Sequence, residues 1–389
     1  MKPVRVILNA DAIMPPLTGI GRYAFELARG LENHAAIEDL KLYSIHQWID
    51  DADAALAANA PFAKARKRVP FKTQALELSV RLRGALFRWH ARRMRDYLLH
   101  TPNYILMPFD GPTATTVHDL SWIRYPQAHP VERVTFMNRH MARTLERANL
   151  VLTDSEFVAG EIVDVFAYPR ERIRVVPLGV DAAYRPRSRH DILPTLAKHR
   201  LADSAYLLVV ATQEPRKNLA RLARAYAGLP AAMRARHPLV IAGGRGWLND
   251  ELERAIAPLE SRGEARRLGY VDEAELPALY AGAFAFAFPS LYEGFGLPVL
   301  EALASGVPAL TSRGSSLEEI ARDEAGEVAL CVNPLDEDAL RDGLVRLLED
   351  EHWRTQATTR GIAHARAFTW TRCIDATVAG YRSVIQAQS

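Results

Sequence analysis

Across 389 residues there are only two cysteines, Cys331 and Cys373, and they share no metal-ligand spacing. That excludes a disulfide framework and fits a reducing compartment. Long hydrophobic runs are missing as well, since none approaches the ~18 residues of a membrane-spanning helix. The N-terminus, Met1-Lys-Pro-Val-Arg-Val-Ile-Leu-Asn9, enters a strand pattern at once, without the apolar stretch and small-residue cleavage site of a signal peptide. Together these absences set the expectation of a cytoplasmic protein. Charge of one sign is also scarce: the formal net charge is +3, which calls for no nucleic-acid partner. Short-period repeats and low-complexity tracts are absent. What remains is an ordinary globular composition, 49% hydrophobic and 24% charged, in a chain long for one core and comfortable for two.

The most informative stretch is Pro289-Ser-Leu-Tyr-Glu-Gly-Phe-Gly-Leu-Pro-Val-Leu-Glu-Ala-Leu-Ala304. It follows Ala283–Phe288, an apolar and aromatic run that predicts a buried strand. Leu297–Ala304 is a good helix former with Pro298 in its first turn, where proline costs no hydrogen bond. Glu293 therefore sits in a strand-to-helix loop and Glu301 inside the helix. The helix start favours an anion, and Gly294 and Gly296 keep no side chain between backbone and ligand. Two carboxylates beside an anion site are better used to accept hydrogen bonds from hydroxyls. A ligand with a phosphate centre and hydroxyls on both sides is a nucleotide sugar. The same residues also fit a plain strand, turn and helix with Glu301 in solvent.

In chain order, Val4–Asn9 reads as a strand and Ala10–Thr18 as a loop, before a helix opening on Gly19-Ile-Gly21-Arg-Tyr-Ala24. The glycines imitate a dinucleotide fingerprint and raise a nicotinamide-dependent oxidoreductase as a rival. About nine loop residues separate them from the first strand, however, and no acid ends a clear second strand over Lys41–Ile45. Asp51-Ala-Asp53 spells a metal-binding Asp-x-Asp but lies in a polar stretch away from any glycine-bounded strand end. From Lys64 to Arg95, eleven basic residues (Lys64, Arg66, Lys67, Arg68, Lys72, Arg81, Arg83, Arg88, Arg92, Arg93 and Arg95) face the single acid Glu77. Interleaved Leu76, Val80, Leu86, Phe87 and Trp89 make this a candidate surface for an anionic membrane, or a solvated face packed on the domain. Tyr104–Met107 and Thr115–Val117 read as strands, the second ending at His118-Asp119-Leu120, where open α/β sheets bind ligands.

Leu150–Thr153 and Ile173–Pro177 complete the first half, and Arg185–Leu201, with two prolines and many charges, reads as a linker. The second half opens with Tyr206–Ala211, then Arg216-Lys217 before a helix near Leu219, a fork and a point charge suited to an anion. Leu239–Ala242, Leu268–Val271, Val307–Thr311 and Ala329–Val332 continue the alternation. Both halves are therefore expected as parallel sheets covered on both faces.

Glu293 and Glu301, with Gly-Phe-Gly-Leu-Pro between them, resemble the Glu-x7-Glu signature of the retaining glycosyltransferases of family 4, and the similarity runs over nearly the whole chain. The resemblance implies the α/β GT-B fold, two Rossmann-like doubly wound parallel-sheet domains facing across a cleft. The expected boundaries are an acceptor-binding domain at 1–185, a linker at 186–202, a nucleotide-sugar domain at 203–367, and a C-terminal helix at 368–389. That helix either crosses back to the first domain or packs on the second. Arg216 and Lys217 would contact the donor diphosphate, with Gly19 and Gly21 facing it. Tyr270 and Val271 would meet the base through the backbone, and Ser290, Gly294, Phe295, Gly296 and Leu297 would line the donor loop. Glu293 would hold sugar hydroxyls, Glu301 the ribose pair, and His118 would orient the sugar with its ring or carbonyl while Asp119 anchors its loop.

No metal or other cofactor is expected, since Arg216, Lys217 and backbone amides would carry the leaving-group charge. His118-Asp-Leu and Ser315-Ser-Leu-Glu318 look most like bacterial mannosyl- or rhamnosyltransferases of O-antigen or exopolysaccharide synthesis. A GDP-sugar donor and a lipid-linked or oligosaccharide acceptor would follow, at the inner membrane face. UDP- or dTDP-sugar donors, a phosphorylase or epimerase, and a non-catalytic nucleotide-sugar binder are the alternatives.

Overall fold

The computed structural model of the chain describes residues 3–17, 19–66, 73–247 and 249–387, with side chains at all of these except 62–66, 73–77 and 79. It divides into two compact units, Met1–Gly179 with Trp370–Ser389, and Val180–Thr369.

The first unit is built on a seven-stranded sheet of β1 (Val4–Asn9), β2 (Ile37–Ser44), β3 (Gln47–Ile49), β4 (Leu98–Thr101), β5 (Thr113–Thr116), β6 (Leu150–Thr153) and β7 (Ile173–Val175). Their spatial order is β3-β2-β1-β4-β5-β6-β7, and all neighbours run parallel except the β2–β3 edge pair. The second unit holds β8 (Leu207–Val210), β9 (Leu239–Ala242), β10 (Ala265–Gly269), β11 (Ala285–Phe288) and β12 (Ala309–Ser312). A small antiparallel pair, β13 (Arg322–Asp323) and β14 (Gly326–Glu327), precedes β15 (Leu330–Val332). The main sheet is wholly parallel in the order β10-β9-β8-β11-β12-β15. β4, β5, β6, β9, β11 and β12 are buried at every residue rather than at alternate ones, as strands covered by helices on both faces must be. The expected pair of doubly wound α/β sheets is therefore what the chain forms.

Two local expectations are corrected. Tyr104–Met107 is not a strand; the strand is the earlier run Leu98–Thr101, whose Leu99 pairs with both Ile7 and Thr113. Pro102-Asn103 ends it, Tyr104 takes a positive φ of 58°, and Tyr104 and Leu106 reach the core from a loop. Arg185–Leu201 is not a bare linker, because helix Arg189–Lys198 fills most of it. Ser188 caps that helix by accepting from the Asp191 N–H at 3.3 Å, and Ile192 and Leu196, four apart, bury one face. Helix Trp370–Ala387 belongs to the first unit: Gly30 gives Ile374 its space, and the Tyr381 hydroxyl meets His100 Nδ1 at 2.6 Å.

Candidate functional site

In each sheet, chain order reverses direction once, between β1 and β4 in the first unit and between β8 and β11 in the second. Loops leaving the carboxyl ends of such a strand pair diverge to opposite faces and open a crevice, which is where open α/β sheets bind ligands. In the second unit the two loops are Thr212–Asn218, carrying Arg216 and Lys217, and Pro289–Gly296, carrying Glu293.

These loops are tied together by charge. Lys217 Nζ donates to Glu293 Oε1 at 2.7 Å, and Arg216 lies 3.0 Å from Glu293 Oε2 while its other terminal nitrogen pairs with Glu214 at 2.8 Å. Ser290 Oγ donates to Glu293 Oε1 at 2.6 Å. The Arg216, Lys217 and Glu293 side chains keep only 12%, 14% and 13% of their surface exposed, so water screens the pairs little. Burial works against ionising Glu293, but the Arg216 and Lys217 charges outweigh it and hold its pKa at about 2. Burial pulls the Lys217 pKa down, with Glu293 opposing.

The loop geometry is fixed by backbone contacts. Asn218, at φ 60°, donates to the Pro289 and Pro334 carbonyls, and the Leu291 N–H donates to the Arg216 carbonyl. Ser316 Oγ donates to the Glu293 and Phe295 carbonyls at 2.8 and 3.0 Å. Gly296 stands at φ 121°, and a Cβ there would come within 2.7 Å of Leu317 Cδ2. It starts helix Leu297–Ala304, in which Glu301 lies beside the buried Tyr280 hydroxyl. Burial, then the Glu301 charge, pushes the Tyr280 pKa well above its usual range. Phe295 is buried with its ring edge toward Phe368, so its backbone is what it can offer a ligand. Tyr270 is exposed and Val271 buried just beyond β10.

In the first unit His118 follows β5 and is buried. Its Nε2 meets the Pro102 carbonyl at 2.9 Å; a carbonyl only accepts, so Nε2 carries a proton. Its Nδ1 faces Asp154 Oδ2 at 2.7 Å. Burial opposes the imidazolium, but Asp154 and the Pro102 carbonyl prevail and raise its pKa. Burial raises the Asp154 pKa, with the His118 charge opposing it. Both ring nitrogens thus have partners within the protein, and the His118 carbonyl is the other group that could face a sugar. Asp119 accepts from the Ser121 N–H and hydroxyl at 3.0 and 2.9 Å, anchoring its loop. Gly19 and Gly21 lie in the first turn of helix Gly19–Glu32; a Cβ on Gly21 would come 3.0 Å from the Ala12 carbonyl in the loop after β1, whereas one on Gly19 would meet nothing within 4 Å.

Asp51-Ala-Asp53 turns out to be a helix start, with Asp51 Oδ1 accepting from the Ala54 N–H at 2.7 Å. No group of His, Cys, Asp and Glu among the described residues could hold a metal ion. Of the basic segment, the side chains of Lys64, Arg66, Lys67, Arg68, Lys72, Leu76 and Glu77 lie outside those described. In helix Thr73–His90, Phe87 turns into the core, which removes it from the expected surface face. The opposite face leaves Leu78, Leu82, Leu86 and Trp89 exposed at 58%, 62%, 38% and 59%, an apolar stripe at helical spacing. Arg92 stacks on Trp89 at 4.7 Å and Arg88 pairs with Asp110 at 2.9 Å. No helix among the described residues is long and apolar enough to cross a membrane.

Three participants escaped the sequence reading. Glu214 stood beside the cation pair, and Asp154 ended an apolar strand where ligands gather, so both carried a usable signal. Ser316 lay in the noted Ser315–Glu318 motif, but its contact with a loop 21 residues away gave no local signal.

Two family models match most of the chain: Glycosyltransferase Family 4 over residues 17–184, and Glycosyl transferases group 1 over residues 195–364. O-antigen chain mannosyltransferase B of Escherichia coli is 38% identical over 386 residues, spanning 97% of this chain and 100% of that protein. Serotype-specific mannosyltransferase WbdA of Escherichia coli is 30% identical over 284 residues, spanning 71% of this chain and 34% of that protein. Among solved structures, sucrose-phosphate synthase from Thermosynechococcus elongatus is similar at a TM-score of 0.76 and 20% identity, over 99% of this chain and 100% of that one. This last likeness is one of fold.

Proposed function

The chain belongs to glycosyltransferase family 4, and on that premise we propose that it moves mannose or rhamnose from a GDP-sugar to a hydroxyl of a lipid-linked oligosaccharide in bacterial surface polysaccharide synthesis. The full-length likeness to a protein named as an O-antigen chain mannosyltransferase supports the sugar and the pathway class. The observation that carries the chemistry is the pairing of Arg216 and Lys217 after β8 with Glu293 after β11, at the point where the sheet reverses.

The difficult event is breaking the bond from the anomeric carbon to the diphosphate oxygen, which leaves negative charge on that oxygen. Arg216, Lys217 and the Gly294–Leu297 amides are fixed before the reaction, so they stabilise that charge with little reorganisation. The acceptor hydroxyl attacks the anomeric carbon, and its proton passes to the departing phosphate oxygen. Attack then comes from the leaving group's own face, which retains the anomeric configuration. Glu293 is assigned the sugar hydroxyls, Glu301 the ribose pair and the His118 carbonyl the orientation of the sugar. The reading assigns no step to a metal.

The test is calorimetric titration of metal-free protein with GDP, UDP, dTDP and NAD. Tight GDP binding without added magnesium is the expected result, with NMR of the product from GDP-mannose showing the donor's anomeric configuration. Binding of NAD alone would overturn the proposal. The reading also seats the protein on an anionic membrane through residues 64–95, supported by the exposed apolar stripe and the arginines beside it. Reversing Arg88, Arg92 and Arg93 to Glu should release it from anionic vesicles with donor affinity kept; unchanged vesicle binding would remove that element.

A further inference from the structure

We propose that a cavity at the carboxyl ends of β8, β9 and β10 reads the nucleobase and selects guanine through Gln213, Glu253 and Arg245, an inference that rests on the GDP-sugar reading above. The cavity holds about 510 Å³ and is lined by Gln213, Arg245, Glu253, Arg267, Leu268 and Gly269. Gln213 lies only three residues before Arg216, so no more than about 10 Å of chain separates the cavity from the diphosphate cations. One ligand with a base at one end and a diphosphate at the other would engage both ends of this loop.

The walls are rigid where the base would meet them. Gly243 has φ 147°, and a Cβ there would fall 1.9 Å from the Ala211 carbonyl oxygen, so the loops after β8 and β9 touch backbone to backbone. Gln213 is 3% exposed, its N–H donates to the Gly244 carbonyl at 3.0 Å, and its side-chain Nε2 donates to the Gly243 carbonyl at 3.2 Å. Because that carbonyl only accepts, the amide orientation is determined and Oε1 points the other way. Oε1 has no hydrogen-bond partner among the described residues, and a buried acceptor left in that state costs free energy.

Glu253 is a second acceptor. Arg267 donates to it at 2.7 Å and is itself held by two bonds to Glu260, at 3.0 and 2.8 Å. Arg267 is thus a prop for Glu253 rather than a free donor. Arg245 reaches to 3.8 Å from Glu253 with its side chain 77% exposed, leaving its guanidinium available at the rim.

Two acceptors beside an arginine match one base best. Guanine presents adjacent donors, N1–H and the 2-amino group, and a pair of acceptors, O6 and N7, that arginine meets with two parallel bonds. Uracil and thymine carry one N–H between two carbonyls, so one carbonyl would face Gln213 Oε1 or Glu253, acceptor against acceptor.

The experiment titrates wild type, Arg245→Ala and Glu253→Gln with GDP, IDP and UDP, with thermal melting as the check on folding. Wild type should bind GDP at least tenfold more tightly than IDP, which lacks the 2-amino group. Glu253→Gln should collapse that ratio. Arg245→Ala, a change at an exposed position, should weaken GDP about tenfold and leave UDP within twofold. If wild type prefers GDP and both variants keep its ratios, the base is read elsewhere and this inference falls while the donor assignment stands. If wild type prefers UDP or dTDP, the donor assignment falls, and this inference with it.

Discussion

Replacing Glu293 by glutamine removes the one carboxylate that Arg216 and Lys217 share and leaves two largely buried cations side by side. The native carboxyl has a pKa of about 2 against 4.5 for a free glutamate side chain. That difference, at about 1.4 kcal/mol per pH unit, corresponds to about 3 kcal/mol of stability at pH 7. The figure agrees with the ~3–5 kcal/mol cost of removing one partner from a buried pair. Because the native pKa is depressed, the contribution is complete above pH ~4.5 and disappears as pH falls through ~2. Wild type and Glu293→Gln should therefore differ by about 3 kcal/mol at pH 7, by roughly half of that at pH 3, and hardly at all near pH 2. Urea unfolding at a series of pH values measures the gap, and amide exchange over Leu291–Phe295 locates it. A gap of the same size at pH 3 and pH 7 would refute the ionic account, and so would a gap below ~1 kcal/mol at pH 7.

Asp154→Asn should bring the His118 titration midpoint from above 6.5 to below it, because burial alone lowers it; NMR of the ring reads the change. In wild type the raised pKa gives stability that is present below pH ~6.5 and lost as pH rises through the folded value; the variant, with its folded value depressed, should show the reverse and lose stability as pH falls below ~6.5. Gly296→Ala should cost about 1–3 kcal/mol in urea unfolding, since it strains φ 121° and drives a methyl into Leu317. Glu301→Ala should weaken GDP binding about tenfold by calorimetry while turnover at saturating donor stays within threefold; an unchanged GDP affinity would remove Glu301 from the ribose site.

Much of the second unit was legible because its signals are local. The apolar run before Pro289, the glycines and the Pro298 helix start lie within 16 consecutive residues, and Arg216-Lys217 follows β8 in the same way. Strand pairing is a long-range choice, and there the reading failed. Leu98–Thr101 and Tyr104–Met107 are both plausible strands, and only register with Ile7 and Thr113 selects the first. Asp154 meets His118 because β5 and β6 pair in parallel, which brings residues 36 apart to one edge. The helix in Arg185–Leu201 was masked by prolines, one of which, Pro194, sits inside it. His118 itself was legible by position, but its ring partners were not.

Glu214, Arg216, Lys217 and Glu293 carry two negative and two positive charges, so the cluster has no net charge. A lone anion such as inorganic phosphate gains little there, because taking the cations strands a buried carboxylate without a partner. A molecule that arrives with phosphate oxygens and hydroxyls together satisfies both signs at once. On the proposed reading, a nucleoside diphosphate would outcompete inorganic phosphate here, and an activated sugar, whose hydroxyls also reach the carboxylate, would be held better still.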